Sequence, residues 1–345
     1  MKKLIIIILS FSLLLLMLSG CAAEESATAV TGQEVVLIDG TGKDVEISAP
    51  VERIISLNSG MSALICAFGD SDKIVGRTEL ATFPSSMMDI PEMGKSAAYA
   101  NIELLLEQNP DIVVTDASLK DDVEDQIRAA GVPILIDSTS NPERIIPIIK
   151  NFGLILDKKD KADEIAGIME YYSNMVAERV SEIDTEENPL PLVFFQWNKL
   201  YKSANDNTQF HKPIVAAGGV NIVAGEPVSY PTMSAEWLLE KNPDVIVNRI
   251  SGDDTSEEMR QKREEIISQP GMEAVNAVKT GDVYIFKADV FLTLRYPVGL
   301  LYYAKWFHPD LFQDIDPAAV HREFTEKFYG MEEWNKITEA FVYPE

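Results

Sequence analysis

Residues 100–115 read ANIELLLEQNPDIVVT, and residues 233–248 read MSAEWLLEKNPDVIVN. Laid over each other they share a Glu, then Leu-Leu-Glu, then Asn-Pro-Asp, and a Val near the end. In the first copy Asn101 is a candidate N-cap, and Ile102, Leu105 and Leu106 fall on one helical face. Pro110 ends the helix, since it brings no N–H and its ring collides with the preceding turn. DIVVT then reads as a short buried strand. The same order in the second copy predicts one small α/β unit built twice, with Glu103 and Glu236 at matching positions.

Outward from the first copy, EVVLIDGTGKDVEI (34–47) alternates around a Gly-containing turn and predicts a β-hairpin. IISL is a short strand, Asn58 or Ser59 can cap the helix that follows, and Gly69 can end it. DKIVG is another strand; LKDDVEDQIRAAG reads as a helix stopped at Gly131, and VPILIDS as a strand. Strands alternating with helices over short connections imply a parallel sheet with helices on its faces. From Pro142 to Ile183 the strand pattern vanishes. Ile165, Ile168, Met169, Tyr172, Met175, Val176 and Val180 keep helical spacing, which predicts one long helix over 158–183. The first pattern then restarts: LVFFQW as a strand, KPIVAAGGVNIVAG as helix, Gly stop and strand, the repeated motif, GDVYIFKAD as a late strand, and PVGLLYYAKWFHPDLF as a final helix. Two similar lobes joined by a long helix make a cleft between them.

The chain has 345 residues, a length that fits two domains, and a formal net charge of −25. That charge argues against nucleic acid as a partner, because a phosphate backbone needs Lys and Arg opposite it. Lys2 and Lys3 precede an apolar run from Leu4 to Leu18, the form of a signal peptide and short for a membrane span. The run ends in Leu18-Ser19-Gly20-Cys21, which resembles a lipobox, where Cys21 is diacylated and becomes the mature N-terminus; the alternative is an ordinary signal peptide that happens to hold a Cys. Two acyl chains suffice for a stable anchor. The one other cysteine, Cys66, lies in an apolar helical stretch and reads as a small buried side chain.

No catalytic or metal-binding constellation stands out. His211, His308 and His321 have no second ligand at metal spacing, and no G-x-S-x-G, P-loop or G-x-G-x-x-G occurs. Gly218-Gly219 reads as a helix terminus. Binding residues are expected instead, beyond the carboxyl ends of the strands. Trp197 follows LVFFQ, Tyr230 stands before Pro231, and Asp289 and Phe291 follow VYIFKA with Arg295 just after. In the first lobe Arg77 and Thr78 follow KIVG, Phe83 precedes Pro84, and Tyr99 precedes the repeat. Aromatic side chains with a few polar anchors suit a largely apolar pocket for an organic ligand.

Taken together, RIISLNSGMSALICAFG followed by DKIVG, NIELLLEQNPDIVV, the long helix, AAGGVNIVAG and SAEWLLEKNPDVIV resemble the substrate-binding lipoproteins of ABC importers for ferric siderophores, cobalamin or heme. The resemblance implies an α/β fold of two Rossmann-like lobes with parallel-rich sheets, one bridging helix and a ligand cleft. It implies a binding protein rather than an enzyme, without a cofactor or protein metal site, that delivers a metal chelate to a permease with its ATPase subunits. The chelate expected is a ferric siderophore, with cobalamin or heme as alternatives; a bilobal extracellular enzyme is a further alternative. In that family the glutamate opening each repeated helix pairs with permease arginines, and Glu103 and Glu236 match those positions. Arg77 and Arg295 are the residues expected to meet an anionic chelate.

The organisation expected is a signal peptide (1–20), a lipidated Cys with a flexible tether (21–33), an N-terminal lobe (34–157), a bridging helix (158–183) and a C-terminal lobe (184–345), in a monomer held on the outer face of the membrane. HREFTEKFYG (321–330) receives no role from the resemblance. Replacing Cys21 with Ser should release the processed protein from the membrane fraction; processed protein that stays membrane-bound would exclude the lipid anchor.

Overall fold

The computed structural model describes residues 32–197, 199–251, 254–337 and 340–344, so the apolar leader and Cys21 lie outside the described residues. Strands β1 (Gln33–Ile38) and β2 (Asp44–Ala49) form the expected antiparallel hairpin, with Val45, Ile47 and Ala49 turned inward. β3 (Ile54–Ser56) leads into α1 (Ser59–Ala67), whose cap is Asn58: its Oδ1 accepts the Met61 N–H at 3.0 Å. Next come β4 (Ile74–Arg77), α2 (Ile102–Glu107), β5 (Ile112–Thr115), α3 (Asp121–Ala129), β6 (Ile134–Ile136) and α4 (Pro142–Ile155). The long helix α5 runs over Lys159–Ser181, and Asp157, at φ 55°, separates it from α4.

The second half holds β7 (Leu192–Trp197), α6 (His211–Ala216), β8 (Val220–Asn221), α7 (Ala235–Lys241), β9 (Val245–Ile250), α8 (Ser256–Ile267), α9 (Asn276–Thr280), β10 (Val283–Lys287) and α10 (Tyr296–Phe307). Beyond them lie α11 (Pro317–Tyr329), α12 (Met331–Lys336) and β11 (Val342–Tyr343). The first sheet has the order β4-β3-β5-β6 and the second β8-β7-β9-β10-β11. Within each sheet the first four strands follow one plan and are parallel; β11 adds antiparallel to β10.

The repeated Asn-Pro-Asp explains why the plan is the same. Asn109 and Asn242 both sit in the left-handed region, at φ 47° and 45°, and turn the chain out of α2 and α7. Asn tolerates this conformation better than other residues with a Cβ. The Asp then joins its strand to the neighbouring one from both sides of the backbone. The Asp111 N–H donates to the Arg53 carbonyl at 2.8 Å, and its carboxylate accepts the N–H groups of Glu52 and Arg53 at 2.7 and 2.8 Å. In the second lobe the Asp244 N–H donates to the Leu192 carbonyl at 2.8 Å, and its carboxylate accepts the Leu192 N–H at 2.9 Å. The next residues on are the first paired across each ladder, Ile54 with Ile112 and Val193 with Val245.

One core runs through both lobes. Ile54, Leu64 and Phe152 from the first, Ile165, Met169 and Val176 from α5, and Phe195, Tyr303 and Phe307 from the second belong to the same buried cluster. Where α4 meets α5, Gly153 allows close approach: a Cβ there would lie 2.4 Å from that of Ala162. Smaller cores fill the outer face of each sheet, around Leu105 and Ile127 in one and Leu238 and Ile266 in the other. Cys66 is buried, and burial pushes its thiol up to about 12, so it is a packing residue.

The junction can be tested directly. Asn109→Gly should leave the urea midpoint nearly unchanged, whereas Asn109→Val should cost about 1–2 kcal/mol, the strain of a side chain in the left-handed region. Asp111→Ala should cost about 1–3 kcal/mol, the range for hydrogen bonds to a charged acceptor. An unchanged midpoint for Asp111→Ala would mean that the carboxylate does not fix the strand pair.

Candidate functional site

The loops that leave the carboxyl ends of β3, β4 and β10 face each other across a cavity of about 520 Å³. Ser59, Gly60 and Ala63 at the start of α1 and the segment from Leu80 to Phe83 line it from the first lobe; Asp289 and Leu292–Arg295 line it from the second, and Tyr329 closes it. A parallel sheet places such loops at one end of every strand, so two sheets face their loops into one cleft. Gly60 is required here, since a Cβ would lie 2.5 Å from the hydroxyls of both Thr139 and Thr293.

Arg295 is held on three sides. Its guanidinium lies 4.0 Å from the ring centre of Phe83 and 5.1 Å from that of Phe341, and its Nε–H donates to His321 Nε2 at 3.1 Å. Burial, and then the charge of Arg295, press the His321 imidazole down to about 3, so it remains a neutral acceptor. With Nε occupied, the remaining guanidinium nitrogens are the groups that can meet a ligand.

A second cavity of about 470 Å³ adjoins at Leu292. Its charged residue is Arg249, near the end of β9, among Phe210, Phe286, Phe291, Tyr296 and Tyr303, with Ser140 and Gln209 also at its wall. Burial lowers the Arg249 pKa, partly offset by Asp289. Among the described residues neither Arg249 nor Arg295 forms an ion pair. The aromatic rings are continuous: Phe291 stands 4.7 Å from Tyr303, Phe195 stacks on Phe210 at 4.7 Å, and Trp197 meets Phe210 at 6.0 Å and Tyr230 at 4.7 Å. The Trp197 indole N–H is buried with no partner among the described residues.

Of the residues expected at the ligand, the structure brings Phe83, Asp289 and Arg295 to the first cavity and Phe291 to the second, while Trp197 and Tyr230 continue the aromatic band beyond it. Three lie elsewhere. Arg77 is 2% exposed and turns into the first lobe, where it donates to the carbonyls of Thr78 and Glu79 and pairs with Glu92 at 3.0 Å. It secures the loop after β4, and the expectation that it meets a ligand is corrected accordingly. Thr78 is buried beside it with its carbonyl engaged, and Tyr99 is 68% exposed beneath Lys120 at the start of α2, away from both cavities. Arg249, Phe210, Tyr303 and Tyr329 were not foreseen. Arg249 alone carried a usable signal, as a lone cation at the carboxyl end of the strand that follows the second repeat.

Glu103 and Glu236 are both exposed second residues of their helices, α2 and α7. Asn101 Oδ1 accepts the N–H groups of Glu103 and Leu104, and Ser234 Oγ accepts that of Trp237 at 3.1 Å. The Glu236 carboxyl is lowered by its own backbone N–H and then by the Ser234 hydroxyl. Because each helix follows a parallel strand, its N-terminus lies at the carboxyl end of its sheet, the end that carries the cleft loops. Among the described residues neither glutamate has a Lys or Arg within ion-pair distance, and no group of three or more His, Cys, Asp or Glu could hold a metal ion.

The chain is 24% identical over 313 residues to an uncharacterised ABC transporter substrate-binding lipoprotein of Bacillus subtilis, YvrC, covering 86% of this chain and 95% of that one. It is 24% identical over 219 residues to the cobalamin-binding protein of Halobacterium salinarum, and the match spans 62% of this chain but 58% of that relative. Among solved structures it resembles the TroA-like periplasmic binding protein FepB from Veillonella parvula, with a TM-score of 0.72, 23% identity, and coverage of 86% and 96% of the two chains. The family model of periplasmic binding proteins matches residues 54–290, from β3 through the loop after β10, and the chain belongs to that family.

Proposed function

We propose that the protein is the extracytoplasmic substrate-binding component of an ABC importer, and that its cleft captures an organic metal chelate of the anionic, ferric-siderophore kind. The observation that carries the ligand class is the pair Arg249 and Arg295, two guanidinium groups without an ion pair among the described residues, on adjoining cavities lined by aromatic rings. A small anionic chelate offers both the charge that the arginines lack and the apolar faces that the rings can cover. Capture outside the cytoplasm fits the family, and no helix among the described residues is long and apolar enough to cross a membrane. Anchoring through Cys21 would keep the protein beside its permease as a monomer.

A corrinoid is the second reading. It is favoured by the name of the Halobacterium relative and by the length of the aromatic band from Tyr230 to Tyr303. Native mass spectrometry with ferric siderophores, corrinoids and heme separates the two. For the siderophore reading, Arg249→Ala and Arg295→Ala should each weaken binding by about 1–3 kcal/mol, the range for a charged hydrogen bond left unmade. Corrinoid binding unaffected by either substitution would favour the second reading, and tight binding of bare ferric ion would defeat both.

Docking is assigned to Glu103 and Glu236, one on each lobe, placed to meet two copies of a basic patch on a permease. A surface ion pair contributes about 0–1 kcal/mol, whereas close charge pairs at an interface couple by about 1.5–7 kcal/mol. Glu103→Ala and Glu236→Ala should therefore leave ligand affinity unchanged and lower uptake, the double variant most. If they serve only the helix dipole, melting temperature should fall slightly while uptake stays normal.

A further inference from the structure

The segment after α10 makes an excursion between the lobes. It leaves the second lobe as α11, whose face rests on α10 and on α1 of the first lobe. Phe324 meets Tyr172 of the bridging helix at 5.8 Å, and Lys327 pairs with Glu164 of the same helix at 2.9 Å. At the end of α11 the Tyr329 hydroxyl donates to the Ala63 carbonyl at 3.1 Å, and its ring stands edge-on to Phe83 at 4.7 Å. In α12 the carboxylate of Glu333, only 8% exposed, accepts the Ser85 N–H at 2.7 Å and the Ser85 hydroxyl at 2.8 Å. Lys336 joins the same group through both Ser85 and Glu333. The chain then returns to the second lobe, where the Lys287 N–H donates to the Phe341 carbonyl at 2.9 Å and β11 pairs with β10.

A nearly buried carboxylate is retained only where its lone pairs are met. Here two of the donors that meet them, the N–H and the hydroxyl of Ser85, belong to the other lobe, and Lys336 of α12 supplies the third. Parting the lobes at this point would leave Glu333 without Ser85 and would draw Arg295 away from the face of Phe83. Elsewhere polar contacts between the lobes include the Thr293 N–H with the Thr139 carbonyl at 3.2 Å, the Ser140 hydroxyl with Gln209 Oε1 at 3.2 Å, and Lys212 with Glu143 at 2.7 Å, the last pair largely in solvent.

We propose that residues 317–337 and 340–344 form a strap, a second connection between the lobes that holds them at a fixed spacing through Glu333, Tyr329 and Ser85. The strap does not depend on which ligand the cleft takes, and its test needs none, so it can fail while the transport reading stands. The test uses the full chain carrying Cys21→Ser and Cys66→Ala, with nitroxides on Glu107→Cys in α2 and Glu240→Cys in α7, both exposed positions on separate lobes. Double electron–electron resonance should give one narrow distance distribution. Glu333→Ala should lengthen its mean and broaden it, and Ser85→Ala, made on the opposite lobe, should shift it in the same direction by less, since the Ser85 N–H remains. An unchanged distribution in Glu333→Ala, with hydrogen exchange at the Ser85 amide accelerated, would overturn the proposal: the tie would be gone and the lobes unmoved. Should Glu333→Ala fail to fold, Ser85→Ala combined with Lys336→Ala decides by the same measurement.

Discussion

The Asn-Pro-Asp junction is the constraint on which both lobes depend. A parallel strand pair has no hairpin turn to set its register, so something at the strand entrance must do it. Here one aspartate both donates its N–H to the neighbouring strand and accepts an N–H back. A slip by one residue would break this exchange and also turn every buried side chain to the wrong face. The asparagine and proline before it fix where the helix stops. The placement of α2 and α7, and therefore of the glutamates at their starts, follows from the same few residues.

Register at the entrance determines what stands at the exit. β3, β4, β7 and β10 end at the cleft, and the loops beyond them carry groups that face it, with Arg249 near the end of β9. The continuous core along α5 means that these ends belong to one packed body rather than to two tethered ones. Within that body the arginines are handled differently according to depth. Arg77 sits at the end of a strand just as Arg249 does, but it is enclosed, and its Nη1 and Nη2 are engaged by backbone carbonyls and Glu92. Arg249 borders an open cavity among aromatic rings, without a carboxylate partner.

That contrast marks how far the sequence could be read. The helices, the parallel strands, the long bridge and the doubled plan follow from periodicity and stop signals, which are local properties. The Asn101 cap and the Gly218 terminus follow from the same rules, and both are observed. Which strand-end residues face the cleft is not local. Phe83, Asp289, Phe291 and Arg295 reach the cavities, yet Arg77 and Thr78, chosen by the same reasoning, turn inward because the loop after β4 folds over them. Tyr329 could not be foreseen at all, since it arrives from a segment more than two hundred residues away from the α1 backbone that it contacts. The segment that forms α11 received no role from the sequence, and that its face would be shared between the lobes is likewise not a local property.

The two-residue strand β11 has a consequence for how the molecule stays apart from its neighbours. β10, with its sequence VYIFK, would otherwise be the outer strand of the second sheet, and a bare apolar edge of this kind invites pairing with another chain. The cover comes from Val342 and Tyr343, which pair antiparallel with Phe286 and Ile285. Without that cover the second sheet is an incomplete template with its adhesive side open. Substitutions that lift Val342 and Tyr343 from β10 would keep most of the fold while losing its protection against aggregation.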